Sequence, residues 1–361
     1  MKDTVFFRKL SAKPKKILVC RTDRIGDLVS SLPVFEVLSN QLGLEVQVLC
    51  SPLTLPLLEN NPYVDLAHAY RPELEPHLIK QLGLAQFDAL LVLVNDVVAL
   101  RVIRQLRQIP VRMGPVSKPS AWFQYNYPAL QKRSRSIKNE AEYNLDLLKQ
   151  FGFDGEVQPK PALYFQEKET LGFQERLETF PAQFRQQGYM VLHAGMSGSA
   201  LNWPVESYQG LLKWAVGQGI QVALTGTGDT ENQQVEALRS HLSTEEQVST
   251  LNLVGQLSLR ELGLLCRFSR LFVGPSTGPT HIAGAVDVPV VSFYPPILVQ
   301  SETRWAPFKA NANVLTPEVK CPVDRKCKGE LCDHFGCMGL ISLEQVQQAC
   351  LDMMRINPLR S

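Results

Sequence analysis

The sequence has no apolar run approaching the ~18–20 residues that cross a bilayer, so a membrane-spanning helix is excluded. It has little imbalance of charge: 37 Lys and Arg against 35 Asp and Glu leave +2, which gives no ground for a nucleic-acid partner. It has no short-period repeat and no low-complexity tract, which sets solenoids and disordered tails aside. The opening MKDTVFFRKLSAKPKK is basic. It lacks the long apolar core and small-residue cleavage site of a secretory signal, and a cytoplasmic protein is expected. Phe6 and Phe7 beside Arg8 and Lys9 could touch a membrane surface.

What is present is an ordinary globular composition, 45% hydrophobic and 20% charged over 361 residues, long enough for two domains. Short apolar runs alternate with helical spacing. KKILVC, EVQVLC and FDALLVLV read as buried strands, with LVSSLPVFEVLSNQLG as a helix between the first two. After a Pro- and Gly-bearing stretch near residues 154–165 the rhythm restarts with YMVLH, IQVALT, RLFV and PVVSFY. The helices Val205–Gly217, Ser258–Phe268 and Ser342–Met354 are interspersed. Strands alternating with helices imply βαβ units and parallel sheets. The fold class is therefore α/β, with an N-terminal domain over 1–165 and a C-terminal domain over 166–361. Ligands in such sheets bind outside the carboxyl ends of the strands, so function is expected in the strand-to-helix loops.

Three loops carry chemistry. In RTDRIGD, Gly26 permits a tight turn and Asp27 opens a helix. There the carboxylate serves as an N-terminal stabiliser, or as a general base that stays ionised for that same reason. AGMSGSALNWP offers glycines and the hydroxyls of Ser197 and Ser199 as a phosphate cradle, although its spacing is neither a P-loop nor GxGxxG. GPSTGPTH joins a strand to a helix start and suits an anion, or is a tight connection with Ser/Thr caps. His281 there is a helix-start residue or a catalyst. From Arg112 to Lys138 there are six basic residues (Arg112, Lys118, Lys132, Arg133, Arg135, Lys138) and no Asp or Glu. The stretch is a solvated loop or an attractor of anionic partners.

Together, RTDRIGD, HAGMSGSALNWP and VGPSTGPTHIAGAVDVPVVSFY, in this order, resemble glycosyltransferase family 9, the ADP-heptose:lipopolysaccharide heptosyltransferases, over roughly residues 15–350. The resemblance implies a GT-B fold, two Rossmann-like domains facing across a cleft. The N-terminal domain would bind a lipid A–Kdo core acceptor and the C-terminal domain ADP-L-glycero-D-manno-heptose. Transfer would be inverting, with no cofactor or metal required, and the protein would be cytoplasmic with peripheral contact to the inner membrane. It implies Asp27 as the base. Ser197, Asp229, Leu257, Ser276, Thr277, Gly278, Pro279 and His281 fall on the donor side, and Arg24, Arg112, Lys118, Arg133 and Arg135 on the acceptor side. Two positions depart from the family pattern: Leu201 stands where a phosphate-neutralising Lys is frequent, and Ser276 where Asp is frequent. Lys213 or Arg304 could substitute for the missing cation. The departures leave room for another nucleotide sugar, a protein acceptor, or a silent binding protein.

Of eight cysteines, Cys20, Cys50 and Cys266 lie in apolar segments and read as buried hydrophobes. Cys321, Cys327, Cys332 and Cys337 cluster without the tight CxxC pairs of ordinary zinc motifs. Three states are open for them: a structural Zn or Fe site, reduced thiols, or disulfides.

Overall fold

The computed structural model describes residues 4–10, 12–116, 122–196, 198 and 200–356. The chain divides into two compact units, Met1–Tyr164 and Phe165–Ser361.

The first unit is built on seven strands: β1 (Thr4–Phe6), β2 (Lys16–Arg21), β3 (Glu45–Cys50), β4 (Leu66–Ala69), β5 (Ala89–Val92), β6 (Val111–Val116) and β7 (Tyr127–Gln131). Their order is β1-β7-β6-β5-β2-β3-β4, all parallel except the β1–β7 edge pair. β2 and β5 are continuous apolar runs because both faces of a parallel sheet are covered by helices; Ile17, Leu18, Val19 and Leu90 are fully buried. The apolar-spaced segment after β2 is not one helix. It breaks into Ile25–Val29, Leu32–Glu36 and a π-turn over Val37–Gln41. Pro33 can sit only in a first turn, having no N–H to give. Gly43, at φ +64°, then ends the segment in a conformation that favours glycine.

The second unit is wholly parallel: β8 (Tyr189–His193), β9 (Gln221–Thr225), β10 (Thr250–Asn252), β11 (Leu271–Pro275), β12 (Val290–Phe293) and β13 (Ala312–Leu315), in the order β10-β9-β8-β11-β12-β13. The helices Val205–Gly217 and Leu343–Ile356 pack together on this sheet. Trp203 stacks on Phe293 with ring centroids 4.7 Å apart and donates its Nε1–H to the Ile341 carbonyl at 2.9 Å. It thereby fastens the terminal segment to the core.

In both sheets the strand order reverses direction at one place, between β2 and β5 in the first and between β8 and β11 in the second. Loops leaving neighbouring strands part there, which opens a crevice at the carboxyl end of the sheet. Among the described residues no helix is long and apolar enough to cross a membrane.

Trp203→Ala removes a nearly fully buried indole and its hydrogen bond. The expected cost is about 3–5 kcal/mol, read as a lower urea midpoint, with the loss seen first in protection of the Leu343–Ile356 helix from hydrogen exchange.

Candidate functional site

At the switch point of the first unit the polypeptide buries an arginine among carboxylates. Arg21 ends β2 and is only 2% exposed. Its Nη2 donates to Asp27 Oδ1 at 2.5 Å, and Nη1 donates to the Leu93 carbonyl after β5 at 3.2 Å. Nε stands 2.9 Å from Asp23 Oδ1, and Nη2 lies 3.6 Å from Glu140. Burial disfavours the guanidinium charge, but Asp23, Asp27 and Glu140 more than restore it, so Arg21 is cationic. Burial also pushes the Asp23 carboxyl up to about 7, against the pull of Arg21 and with help from the charge on Asp27.

The surrounding elements hold this knot in place. Thr22 donates its hydroxyl to Asp96 at 2.6 Å, and Asp96 caps the Val97–Gln105 helix by accepting from the Ala99 N–H. Glu140 opens the Glu140–Asp146 helix, whose capping box joins Asn139 and Glu142. Arg133 holds Glu140 at 2.5 Å and also donates to Gln131 at 2.9 Å. Between them Ser136 is buried in the left-handed region at φ +47°, its hydroxyl without a partner. That conformation is uncommon for a residue with a side chain and marks functional segments.

The candidates on this unit therefore fall into groups. Asp27 sits in the first turn of Ile25–Val29, and Arg24 is the exposed residue preceding that helix. Arg133 is drawn into the knot through Glu140, whereas Arg135 is exposed beside it. Arg112 is not brought there. It pairs with Leu90 near the start of β5 and spends its guanidinium on the carbonyls of Arg107 and Ile109. Lys118 lies outside the described residues. The basic stretch is also not simply a loop, because it contains β6 and β7.

In the second unit the loops after β8 and β11 leave adjacent strands. Asn202 pins the first: its Nδ2 donates to the Ala194 carbonyl at 2.8 Å, and its Oδ1 accepts from the Trp203 N–H and the Tyr208 hydroxyl, each at 2.8 Å. Ser197 and Ser199 lie outside the described residues. After β11, Thr277 precedes the Gly278–Gly284 helix with Gly278 and Pro279 in its first turn. The Thr277 hydroxyl is buried and makes no hydrogen bond. The Ser276 N–H donates to the Phe293 carbonyl at 3.1 Å. His281 is buried inside the helix packing, and desolvation lowers it to about 4. It is neutral at physiological pH and supplies no charge to this loop. Asp229 is exposed in the first turn of Gly228–Arg239, and Leu257 is half-buried ahead of Leu259–Arg267.

Sequence reading missed Glu231. Its carboxylate accepts the Thr227 N–H at 2.7 Å and lies against both Gly195, where an added side-chain carbon would collide with it, and Gly226, where one would be tightly packed. The glycines of HAG and GTG were the available signal: both bring backbone close to this carboxylate. Burial lowers the nearby His193, with Glu231 opposing the shift.

Leu201 carries no charge into the phosphate-type loop. It packs against the core of the second unit and lines a cavity of about 170 Å³ with Cys321, Cys327, Cys332, Cys337 and Phe335. Of the two candidate replacements, Lys213 is exposed well past the first turn of its helix and Arg304 lies over the Trp305 ring. All four of those cysteines are unbridged, and burial together with the three other thiols pushes Cys337 up. Among the described residues no group of three or more His, Cys, Asp or Glu is arranged to hold a metal ion. The thiols share a cavity but are not assembled as a ligand set.

Two Rossmann-like units, each with its loops at the carboxyl ends of a parallel sheet, are the parts of a GT-B fold. The model of glycosyltransferase family 9 (heptosyltransferase) matches residues 76–332, and the chain belongs to that family. It is 29% identical over 306 residues, 81% of its length and 86% of the relative's, to a Haemophilus influenzae protein named as a glycosyltransferase. It is 22% identical to Escherichia coli lipopolysaccharide heptosyltransferase 3 over 79% of this chain and 84% of that one. The solved structure of E. coli ADP-heptose lps heptosyltransferase II shares the fold, with a TM-score of 0.77 at 20% identity, covering 94% of this chain and 99% of that one.

Removing Arg21 leaves the half-buried carboxylates of Asp23 and Asp27 without their cation, while Glu140 keeps Arg133. Arg21→Met is expected to cost about 3–5 kcal/mol. In that variant the carboxyls titrate above their unfolded values, so the folded chain binds more protons and stability falls as pH rises. Urea unfolding at pH 5 and pH 8 is expected to show the larger deficit at pH 8.

Proposed function

We propose that the protein transfers heptose from ADP-L-glycero-D-manno-heptose to the Kdo/heptose inner core of lipopolysaccharide, with inversion and without a metal. The observation that carries this reading is Asp27, fixed by Arg21 at the first helical turn after β2 in a member of the heptosyltransferase family. The names of the E. coli relatives supply the sugar and the acceptor class.

The first unit takes the acceptor. Asp27 removes the proton of the attacking hydroxyl as that oxygen bonds to the anomeric carbon, and the bond to the diphosphate breaks with its electron pair on ADP. Arg24, Arg135 and Lys118 offer cations to the anionic core sugars, and Arg133 acts one step back by fixing Glu140. The second unit takes the donor. Thr277 and Ser276, with the backbone of Gly278 and Pro279 and the separate loop bearing Ser197, receive the diphosphate. Leu257 lies against adenine. Glu231, set between two glycines, meets the ribose more directly than the exposed Asp229. The reaction takes place on the cytoplasmic side, with the protein resting peripherally on the inner membrane where its lipid acceptor lies. Zinc or iron at the cysteine cavity would be structural and would need the thiols to turn inward.

A specific observation favours a second reading. Leu201 is packed into the core where a cation would face phosphate, which suits another nucleotide sugar, a protein acceptor, or a binder without turnover.

The test is ADP release from ADP-heptose with and without Kdo2-lipid A, beside calorimetric ADP binding. Asp27→Asn is expected to lose about 10²–10⁴-fold in acceptor-dependent release while binding ADP normally. Glu231→Ala is expected to weaken ADP binding about 10–100-fold, the worth of a charged hydrogen bond. Acceptor-independent release unaffected by Asp27→Asn would contradict the reading, and turnover of a different nucleotide sugar would favour the second one.

A further inference from the structure

The first unit holds more charge than a single base requires. Arg21 gives Asp27 a directed hydrogen bond at 2.5 Å, but its 2.9 Å approach to Asp23 is contact between charges without an aligned N–H. Asp23 Oδ1 is consequently buried with no hydrogen-bond donor. The guanidinium charge favours an anion there and burial opposes it, so the two protonation states of Asp23 compete. We propose that Asp23 is a positioning residue that shares the Arg21 guanidinium with Asp27 and sets the strength of that base through its own ionisation.

The coupling follows from one cation serving two anions. With Asp23 ionised, the guanidinium charge is divided and Asp27 holds a proton more readily. With Asp23 protonated, the charge falls on Asp27 alone and weakens it as a base. Burial places the Asp23 carboxyl at about 7, so the change falls near neutrality. The other charged groups facing the pair oppose one another. Asp96, bonded to Thr22, adds negative charge beside Asp23, while Glu140 takes a share of Arg21 and is itself held by Arg133. Asp23 takes no proton from substrate in this scheme: the acceptor proton goes to Asp27, and Asp23 alters only how tightly it is held.

The inference rests on Asp27 being the base, and its test separates the two. The full chain carrying [4-¹³C]aspartate is titrated by NMR without substrate. One carboxyl is expected to titrate near pH 7, to vanish in Asp23→Asn, and to move to lower pH in Asp27→Asn, where the like charge is gone. No aspartate titrating near neutrality, or one unmoved by Asp27→Asn, would overturn the coupling whatever the enzyme's donor. Where ADP-heptose turns over, kcat is expected to rise through neutrality in the wild type. Asp23→Asn should flatten that rise and Asp23→Glu restore it. A wild-type pH profile in Asp23→Asn, with folding verified by its melting curve, would overturn the proposed influence on Asp27.

Discussion

The buried guanidinium of Arg21 is the constraint on which the first unit's chemistry depends. A cation with 2% exposure is tolerable only with compensating anions, and they come from three places: Asp23 in the loop, Asp27 in the following helix and Glu140 more than a hundred residues on. Its further bond to the Leu93 carbonyl ties the ends of β2 and β5 together at the point where the strand order reverses. The same contacts hold the crevice in shape and aim a carboxylate, so stability and chemistry are not separable here.

The second unit, proposed to take the donor, has few cations at its loops. Its two loops leave neighbouring parallel strands and rely on backbone groups and hydroxyls. His281 and His193 are kept neutral by burial. Leu201 shows how far this goes: the position faces an apolar, cysteine-lined cavity, and its side chain contributes packing. Glu231 adds a carboxylate at the crevice, which suits hydroxyls of a sugar better than phosphate oxygens.

The α/β class and most strands were legible because a strand covered on both faces must be apolar throughout, as in ILVC of β2 and ALLV of β5. The helix start at Ser258 was legible from the spacing of the apolar residues after it. β1 was not, because an edge strand of three residues is defined by a partner more than a hundred residues away. β6 and β7 were hidden by Arg112, Gly114 and Pro128, which break the apolar signal without breaking the strands. Within the site, Asp27 could be read from its turn. Arg21 read as the first residue of the RTDRIGD loop, and nothing local announces that it ends the strand with its charge buried. Glu231 was obscured by its own glycines, whose spacing also fits a phosphate cradle.

The proposed role of Asp27, one base acting on one acceptor hydroxyl with no covalent sugar–enzyme intermediate, has a stereochemical consequence. The most direct measurement is the anomeric configuration of the transferred sugar, read by NMR on the product and compared with the donor. An inverted anomeric centre is the predicted result. A retained configuration would contradict the account, since Asp27 could then not be serving as the base of a single displacement.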